Sequence, residues 1–522
     1  MPASSGPAEP ALRPQLPASA CLLVVCILAE RWVLGHEGAS HAWQGPVSLS
    51  LVIASILAMA EGTGRGRGAA CLCLALFLVA LLACARSCLL VRSMDECELE
   101  LGRVSGSGCV LDIETDSVQR RGSHTCRARV TLPSGRACGV WLRSPQRLFM
   151  GERLRCSTRW AALPPDDFGK ASRMRGIVGS LRVMGVTSRG WQAGGMGRLR
   201  AWRARQLRHL AAERSDSAAW IAGVALGCPA LARERGMDER LSRCGLSHLM
   251  AVSGSHLAIV SSVVGALLLR LGAKPLPRLL CALSTGFALV LLCGAPPSAT
   301  RALLMACAAF GSEVSGRRRH AVSSLCLVGL MLALFDPALS GSLGFQLSLA
   351  SVAGLCLFSW PVARLFHLAL SSAAMCLPSS RRAPRRLRRI ASSTLDLASA
   401  SMVAQFSTLP LTCAYFGTFS LVSPLTNLLG APPFALGLVL GLPGLLVSGT
   451  LPWSDLPLSA SKTCFELLSV LVERISALPL AAVSLPNEPW LPPLLWAGEI
   501  ALALLWLQPA AARGGPPPRH VS

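Results

Sequence analysis

Apolar runs about 20 residues long, the length that crosses a bilayer as a helix, recur along this chain. They fall at 17–34, 46–61, 69–91, 245–269, 279–310, 321–335, 343–363, 393–413, 421–449, 463–483 and 491–510. With 52% hydrophobic residues, 15% charged ones and a mean hydropathy of +0.50, an ordinary soluble domain is excluded. The expected fold class is a polytopic α-helical membrane protein of about ten spans. Pro296 and Pro297 are expected to break the 279–310 run, and Pro424, Pro432 and Pro433 to make 421–449 discontinuous. The first run reads as a retained span, because only Arg13 precedes it and Glu30-Arg31 closes it without a small-residue cleavage site. The tails 1–16 and 511–522 are expected to be disordered.

The charge is unevenly placed. Arg65 and Arg67, Arg317 to Arg319 and the run RRAPRRLRR at 381–389 fit short cytoplasmic loops under the positive-inside rule. Residues 92–216 do not, since they hold 23 Lys plus Arg against 12 Asp plus Glu and follow three spans, 17–91, that leave them outside. A basic segment there calls for an anionic partner: nucleic acid, lipid headgroups or a cell-wall polyanion. Within it CELELGRVSG, SGCVLDIET, TCRARVTLP, RACGVWLRS and GERLRCSTRWAAL alternate apolar and polar residues between turn signals. Five short strands predict a small extracytoplasmic β-barrel, OB-like, over 92–190, a scaffold that often holds single strands. The SGR at 134–136 reads as a hairpin turn.

The candidate nucleic-acid contacts on that barrel are Arg127, Arg129, Arg136, Trp141, Arg143, Arg153 and Arg155. Aromatic platforms are few, with Trp141, Phe149 and Trp160 available and Trp141 or Trp160 equally able to serve as core. Residues 191–216 form an amphipathic helix with Leu199, Trp202 and Leu210 on one side, suited to anionic lipids or, alternatively, to guiding nucleic acid. Cys97, Cys109, Cys126, Cys138 and Cys156 could form one or two disulfides on an oxidising side, in a pairing that spacing does not give. The remaining cysteines lie mostly in apolar runs, and the 21 together show no zinc spacing. No metal site and no cofactor are expected.

Downstream, GLSHLMAVSGSHLAIV at 245–260 sets His248, Ser253, Gly254, Ser255 and His256 on what reads as the start of a spanning helix. Polar groups at such depth ask for a reason. Ser253 and His256 share a helix face, and Gly254 permits close approach of another helix. Three readings stand: a hydrogen-bond node between helices, a lining of a polar path, or a Ser–His nucleophile pair. Arg301, behind Ser298 in an apolar run, either pairs with a broken helix or meets passing phosphates. Gln346 and Asn427 are expected to hydrogen-bond between helices.

Four blocks in order then carry a resemblance: RLSRCGLSHLMAVSGSHLAIV, GAPPSATRALLMA, DPALSGSLGFQLSLASVAGL, and SASMVAQFSTLPLTCAYFGTFSLVSPLTNLLGAPP. Together they resemble the ComEC/Rec-two competence family, and the preceding basic segment with PPDDFGKASRMRGIVGSLRV resembles that family's outer domain. Ser255 departs from the pattern, giving SGSH where the family usually has SGLH. The resemblance implies a channel domain over 217–510, with His248, Ser253, Gly254, Ser255, His256, Ser298, Arg301, Gln346 and Asn427 along the path of a single DNA strand across the cytoplasmic (inner) membrane of a bacterium. It implies a cytoplasmic helicase-like ATPase and a pilus-type DNA receptor as partners, since no GxxxxGK followed by Ser or Thr occurs here. Many relatives carry a metallo-β-lactamase-like nuclease domain, whereas no HxHxDH-like cluster occurs among the nine histidines, so a nuclease is expected on a separate polypeptide and the chain is not expected to be an enzyme. The rival expectations are a membrane enzyme or small-solute transporter on this fold, or a relative that has lost transport.

Overall fold

The computed structural model describes residues 18–35, 66–104, 108–120, 122–315, 321–375, 385–448, 455–486, 488 and 490–507. The expected 46–61 span, both tails, Arg65 and Arg317 to Arg319 lie outside them. So do residues 381–384 of the basic run and the side chains of Arg67 and of residues 385–389.

Helix α1 (Ala18–Gly35) packs on α2 (Gly66–Val104) through small and branched residues, Cys26, Ala29 and Val33 meeting Ala83, Cys84 and Val91. The second helix corrects one expectation: residues 97–104 continue it and are not a strand. Leu90, Met94, Cys97 and Leu101 recur at helical spacing, so the helix drives one apolar stripe into the base of the barrel.

The barrel consists of β1 (Gly108–Ile113), the short β2 (Val118–Arg120), β3 (Ser123–Thr131), β4 (Ala137–Ser144), β5 (Glu152–Ala162) and β6 (Ile177–Trp191), with α3 (Asp167–Met174) between β5 and β6. Its order β1-β5-β6-β4-β3 closes through pairing of β1 with β3, and only β4 and β6 run parallel. A closed five-stranded barrel of this kind is an OB-fold. Inward residues alternate along each strand, Cys126, Ala128 and Val130 on β3 and Val140 and Leu142 on β4, and are buried with Leu111, Leu154 and Leu181. Each such aliphatic side chain contributes about 1.5–3 kcal/mol by leaving water. The SGR turn forms as expected, with Gly135 at φ 82°. The fifth barrel strand is β6, which its glycines hid. Gly179 on it is required because the Trp160 ring lies against its Cα.

Helix α4 (Gly195–Glu213) follows, then α5 (Asp216–Leu226), α6 (Ala230–Glu234) and α7 (Met237–Cys244). The apolar stripe of α4 is covered by protein: Ala204, Leu207 and Leu210 pack with Phe149 and α5. Every residue from Ser217 to Leu226 is buried, making α5 the centre of the helical domain. Eleven residues are too few to read as a span, and the sequence hid this helix for that reason. Ser215 caps it by accepting the Ala218 N–H, and Trp220 stacks on Phe465 at 5.9 Å.

The remaining helices are α8 (Gly254–Arg270), α9 (Pro275–Leu292), α10 (Pro297–Val314), α11 (Ala321–Phe335), α12 (Leu343–Met375), α13 (Arg385–Phe416), α14 (Ser423–Val447), α15 (Leu456–Ser476) and α16 (Leu491–Leu507). A short ribbon of β7 (Thr418–Ser420) and β8 (Ala482–Ser484) joins two of their loops. The expected break falls between α9 and α10. The expected discontinuity at 421–449 does not, for α14 is one helix containing Pro432, Pro433 and Pro443. Pro424 lies in its first turn, where a missing N–H costs nothing. Gly430, Gly437, Gly441 and Gly444 present a bare face to α15, where an added Cβ at Gly437 would lie 2.8 Å from Phe465 and one at Gly444 2.8 Å from the Leu458 nitrogen. That close packing against α15 accompanies a helix that continues through its prolines.

Candidate functional site

The block at 245–260 is not the first turns of one helix. Gly245 ends α7 at φ 71°, a 3-10 turn covers Ser247–Leu249, and Ser253 caps α8 from an extended backbone. Glycine is needed at 245 twice over, since a Cβ would also overlap the Ser423 side chain. The Ser253 N–H donates to His256 Nδ1 at 3.2 Å, so that nitrogen carries a lone pair and the neutral ring bears its proton on Nε2. Histidine here fills the place that Glu or Gln holds in a capping box. Ser253 Oγ lies 2.8 Å from Ser255 Oγ and 3.1 Å from His256 Nδ1. His256 is fully buried and edge-on to Phe434 at 5.2 Å, and the Leu249 backbone is a further polar neighbour of its ring. His248 and Ser255 are exposed, with His248 Nδ1 3.2 Å from the Gly245 carbonyl oxygen.

Helix α10 braces this cap. Ser298 Oγ donates to the Val252 carbonyl at 2.7 Å, and an added Cβ on Gly254 would stand 3.2 Å from Ala302 Cβ. One turn further along α10, Arg301 is 4% exposed and donates through Nη1 to the Ser348 carbonyl on α12 at 2.6 Å. Its Nε is buried without a partner. Gln346, on the same first turns of α12, donates from Nε2 to the Ser340 carbonyl at 2.7 Å, leaving Oε1 buried and unpaired. Asn427 lies apart, on α14, and bonds Ser401 Oγ of α13 at 2.6 Å and Ser423 Oγ at 3.2 Å, the interhelical role expected of it. Arg301 and Gln346 therefore meet at α12, Ser253 and His256 meet at α8, and Ser298 ties α10 to the cap.

On the barrel the expected arginines divide. Arg127 and Arg129 both reach Glu114, at 2.7 and 2.9 Å, Arg136 reaches Glu96 at 3.0 Å, and Arg153 forks onto Asp112 at 2.8 and 2.9 Å. The hydrogen-bonded guanidinium of Arg153 holds the Asp112 carboxyl below its ordinary range. Only Arg143 and Arg155 of the expected set are exposed without an ion pair among the described residues. Trp141 is not a free platform, since its Nε1 donates to Ser172 Oγ at 3.1 Å and Phe168 stacks on it at 6.1 Å. Phe149 is buried under Arg208. Arg159, Arg182 and Phe168 are also exposed on the barrel and were not among the expected contacts. Arg159 was visible as the next outward arginine on β5 after Arg155, with Ser157 between them, and Arg182 followed only from recognising β6.

The five barrel cysteines are buried thiols. Cys109 stands opposite Cys156 across β1 and β5, burial pushes the Cys156 thiol up to about 11, and Cys97 hydrogen-bonds Cys138. Among the described residues no group of three or more His, Cys, Asp or Glu side chains is placed to hold a metal ion.

Four described helical stretches, Leu74–Arg103, Pro275–Leu292, Leu343–Leu368 and Ser423–Val447, are long and apolar enough to cross a membrane. An apolar helical domain that carries an OB-type barrel and buries polar groups where its helices meet defines a class of membrane protein. The model of the Competence protein family matches residues 233–510, more than half of the chain, and the protein belongs to that family. It is also 29% identical over 244 residues, 46% of this chain, to ComE operon protein 3 from Bacillus subtilis (strain 168), of which the match covers 28%. No solved structure matches.

Proposed function

We propose that this chain is a channel subunit that passes a single strand of DNA across the cytoplasmic membrane during natural transformation. The observation that carries the reading is a group of buried polar atoms left unpaired inside the family-matched helices, among them Arg301 Nε and Gln346 Oε1. Leaving such atoms without partners costs about 1–3 kcal/mol each, more for a charged group. A conduit recovers that cost when water and passing phosphates become the partners. On this reading about ten spans frame the path, and the barrel stands outside the membrane. Anionic lipids surround it. A pilus-type receptor delivers DNA, a separate nuclease degrades the other strand, and a cytoplasmic helicase-like ATPase supplies the driving force.

Ser253 and His256 act in this reading as a helix cap and not as a nucleophile and base, because His256 Nδ1 already accepts the Ser253 N–H. The test is uptake of labelled DNA by wild-type, deletion and Arg301→Ala strains. We expect uptake to vanish in the deletion strain and to fall about tenfold or more in Arg301→Ala at equal protein level, as for loss of one charged hydrogen-bond donor. Normal transformation in the deletion strain would overturn the proposal. Normal uptake in Arg301→Ala alone would remove that residue from the path.

A further inference from the structure

The barrel's outer surface carries a row of arginines that the fold leaves bare. Arg143 on β4 is directly opposite Arg182 on β6, and Arg182 is directly opposite Arg159 on β5. All three are exposed, and none makes an ion pair or hydrogen bond among the described residues. Adjacent strands are about 4.8 Å apart, so three guanidinium stems leave the sheet within about 10 Å of one another. Like charges directly opposite across strands are destabilising.

The domain does not lack acids to relieve this. It has spent them elsewhere: Asp112 on Arg153, Glu114 on Arg127 and Arg129, Asp116 on Arg203, and Glu152 on Arg189. Asp166 caps α3 by accepting the Gly169 N–H, and Asp167 occupies the first turn of that helix. None of these carboxylates forms an ion pair with Arg143, Arg159 or Arg182, although Asp166 and Asp167 flank Phe168.

Beside the row stands an aromatic. Trp141 is the outward residue two positions before Arg143, about 7 Å along the strand. Its ring is covered by Phe168 from α3, which is itself 55% exposed. A line of unpaired cations next to an exposed, rigidly backed ring is the pairing that single-stranded nucleic acid uses, with phosphates on the cations and a base on the ring. A lipid surface accepts cations and an exposed ring as well, and the oligonucleotide and vesicle arms of the test tell the two partners apart.

We infer that Arg143, Arg182 and Arg159 form a phosphate track, and Phe168 a base-stacking platform, by which the barrel holds single-stranded DNA. This inference rests on the DNA-uptake reading above and assigns the contact to residues other than most of those the sequence suggested.

The test uses the full chain in phosphatidylcholine nanodiscs, titrated with a short fluorescein-labelled oligothymidylate over a salt series. The triple substitution Arg143→Ala, Arg159→Ala, Arg182→Ala should weaken binding at least about tenfold and flatten the log–log salt slope by about 2, near 0.7 per lost phosphate contact. The corresponding triple Lys variant should keep the slope, which separates lost charge from a damaged barrel. Phe168→Ala should weaken binding about tenfold with the slope unchanged, as stacking carries no counterion release. Arg233→Ala, on α6 and paired with Asp238, should leave both unchanged. Wild-type affinity and slope in the triple Ala variant would overturn the track while leaving the channel reading to the uptake strains. So would a wild-type protein that does not bind the oligonucleotide, or a triple variant that loses only adhesion to phosphatidylglycerol vesicles.

Discussion

Arg203 and Asp116 form a two-pronged ion pair, Nη1 to Oδ1 at 2.9 Å and Nη2 to Oδ2 at 2.6 Å, with side chains only 1% and 9% exposed. Arg203 lies on α4 and Asp116 in the loop after β1, so the pair fastens the barrel to the helical domain. Arg203 Nε also donates to the Leu226 carbonyl at the end of α5, at 2.7 Å, and Asp116 Oδ1 accepts the Met150 N–H at 3.0 Å. A second, partly buried ion pair, Arg147 with Glu234, links the same two parts.

Breaking that pair on one side leaves a buried charge alone. Arg203→Met or Asp116→Asn is expected to cost about 3–5 kcal/mol, and replacing both residues by apolar ones to restore most of it. Thermal unfolding of the purified chain and the double-mutant cycle measure this. Additive single losses would show that the two residues do not interact.

Gly245→Ala forces φ 71° on a residue with a Cβ and drives that Cβ into Ser423. The backbone part alone costs about 1 kcal/mol or more. The melting temperature should fall, and Ser423→Gly in the same chain should recover only the steric part. Full recovery would mean that the backbone conformation carries no strain.

Asn427→Leu removes the bonds to Ser401 and Ser423 and with them a link between α13 and α14. The expected loss is about 0.6–2 kcal/mol, as for other hydrogen bonds between membrane helices. Resistance to detergent-induced unfolding reads it out, and an unchanged midpoint would count against the link.

Acid should loosen the barrel at one identifiable place. Arg153 holds the folded-state Asp112 carboxyl below its unfolded value, so the stabilisation is complete above about pH 4 and is lost as pH falls through the folded value. Arg153 is half-exposed, which limits the contribution to under about 1 kcal/mol. Asp112→Asn should lower stability at neutral pH and flatten the acid limb of a melting-temperature profile. An acid limb that keeps its slope in this variant would assign the effect to other carboxylates.

Much of the architecture was legible because it is written in local periodicity. The apolar runs at 17–34 and 321–335 reappear almost residue for residue as α1 and α11, the double proline broke α9 from α10, and four of the five expected strands formed with their SGR hairpin. The misreadings share a cause. Residues 97–104 alternate well enough for a strand and became helix because Cys97 and Leu101 found the barrel's open end. The prolines of α14 read as a break, yet the helix continues through them where its glycine face packs on α15.

Residue types in order were enough to determine a chain of apolar helices carrying a basic barrel, and four motif blocks were enough to indicate the family. Which arginines are spent and which are free was decided only by the tertiary structure. Arg129 and Arg143 are indistinguishable as letters on neighbouring strands. Closure of β1 onto β3 brings Glu114 to Arg129, whereas the parallel pairing of β4 with β6 puts Arg182 beside Arg143. Charge pairing depends on contacts between residues distant in sequence, and a local pattern carries no record of them.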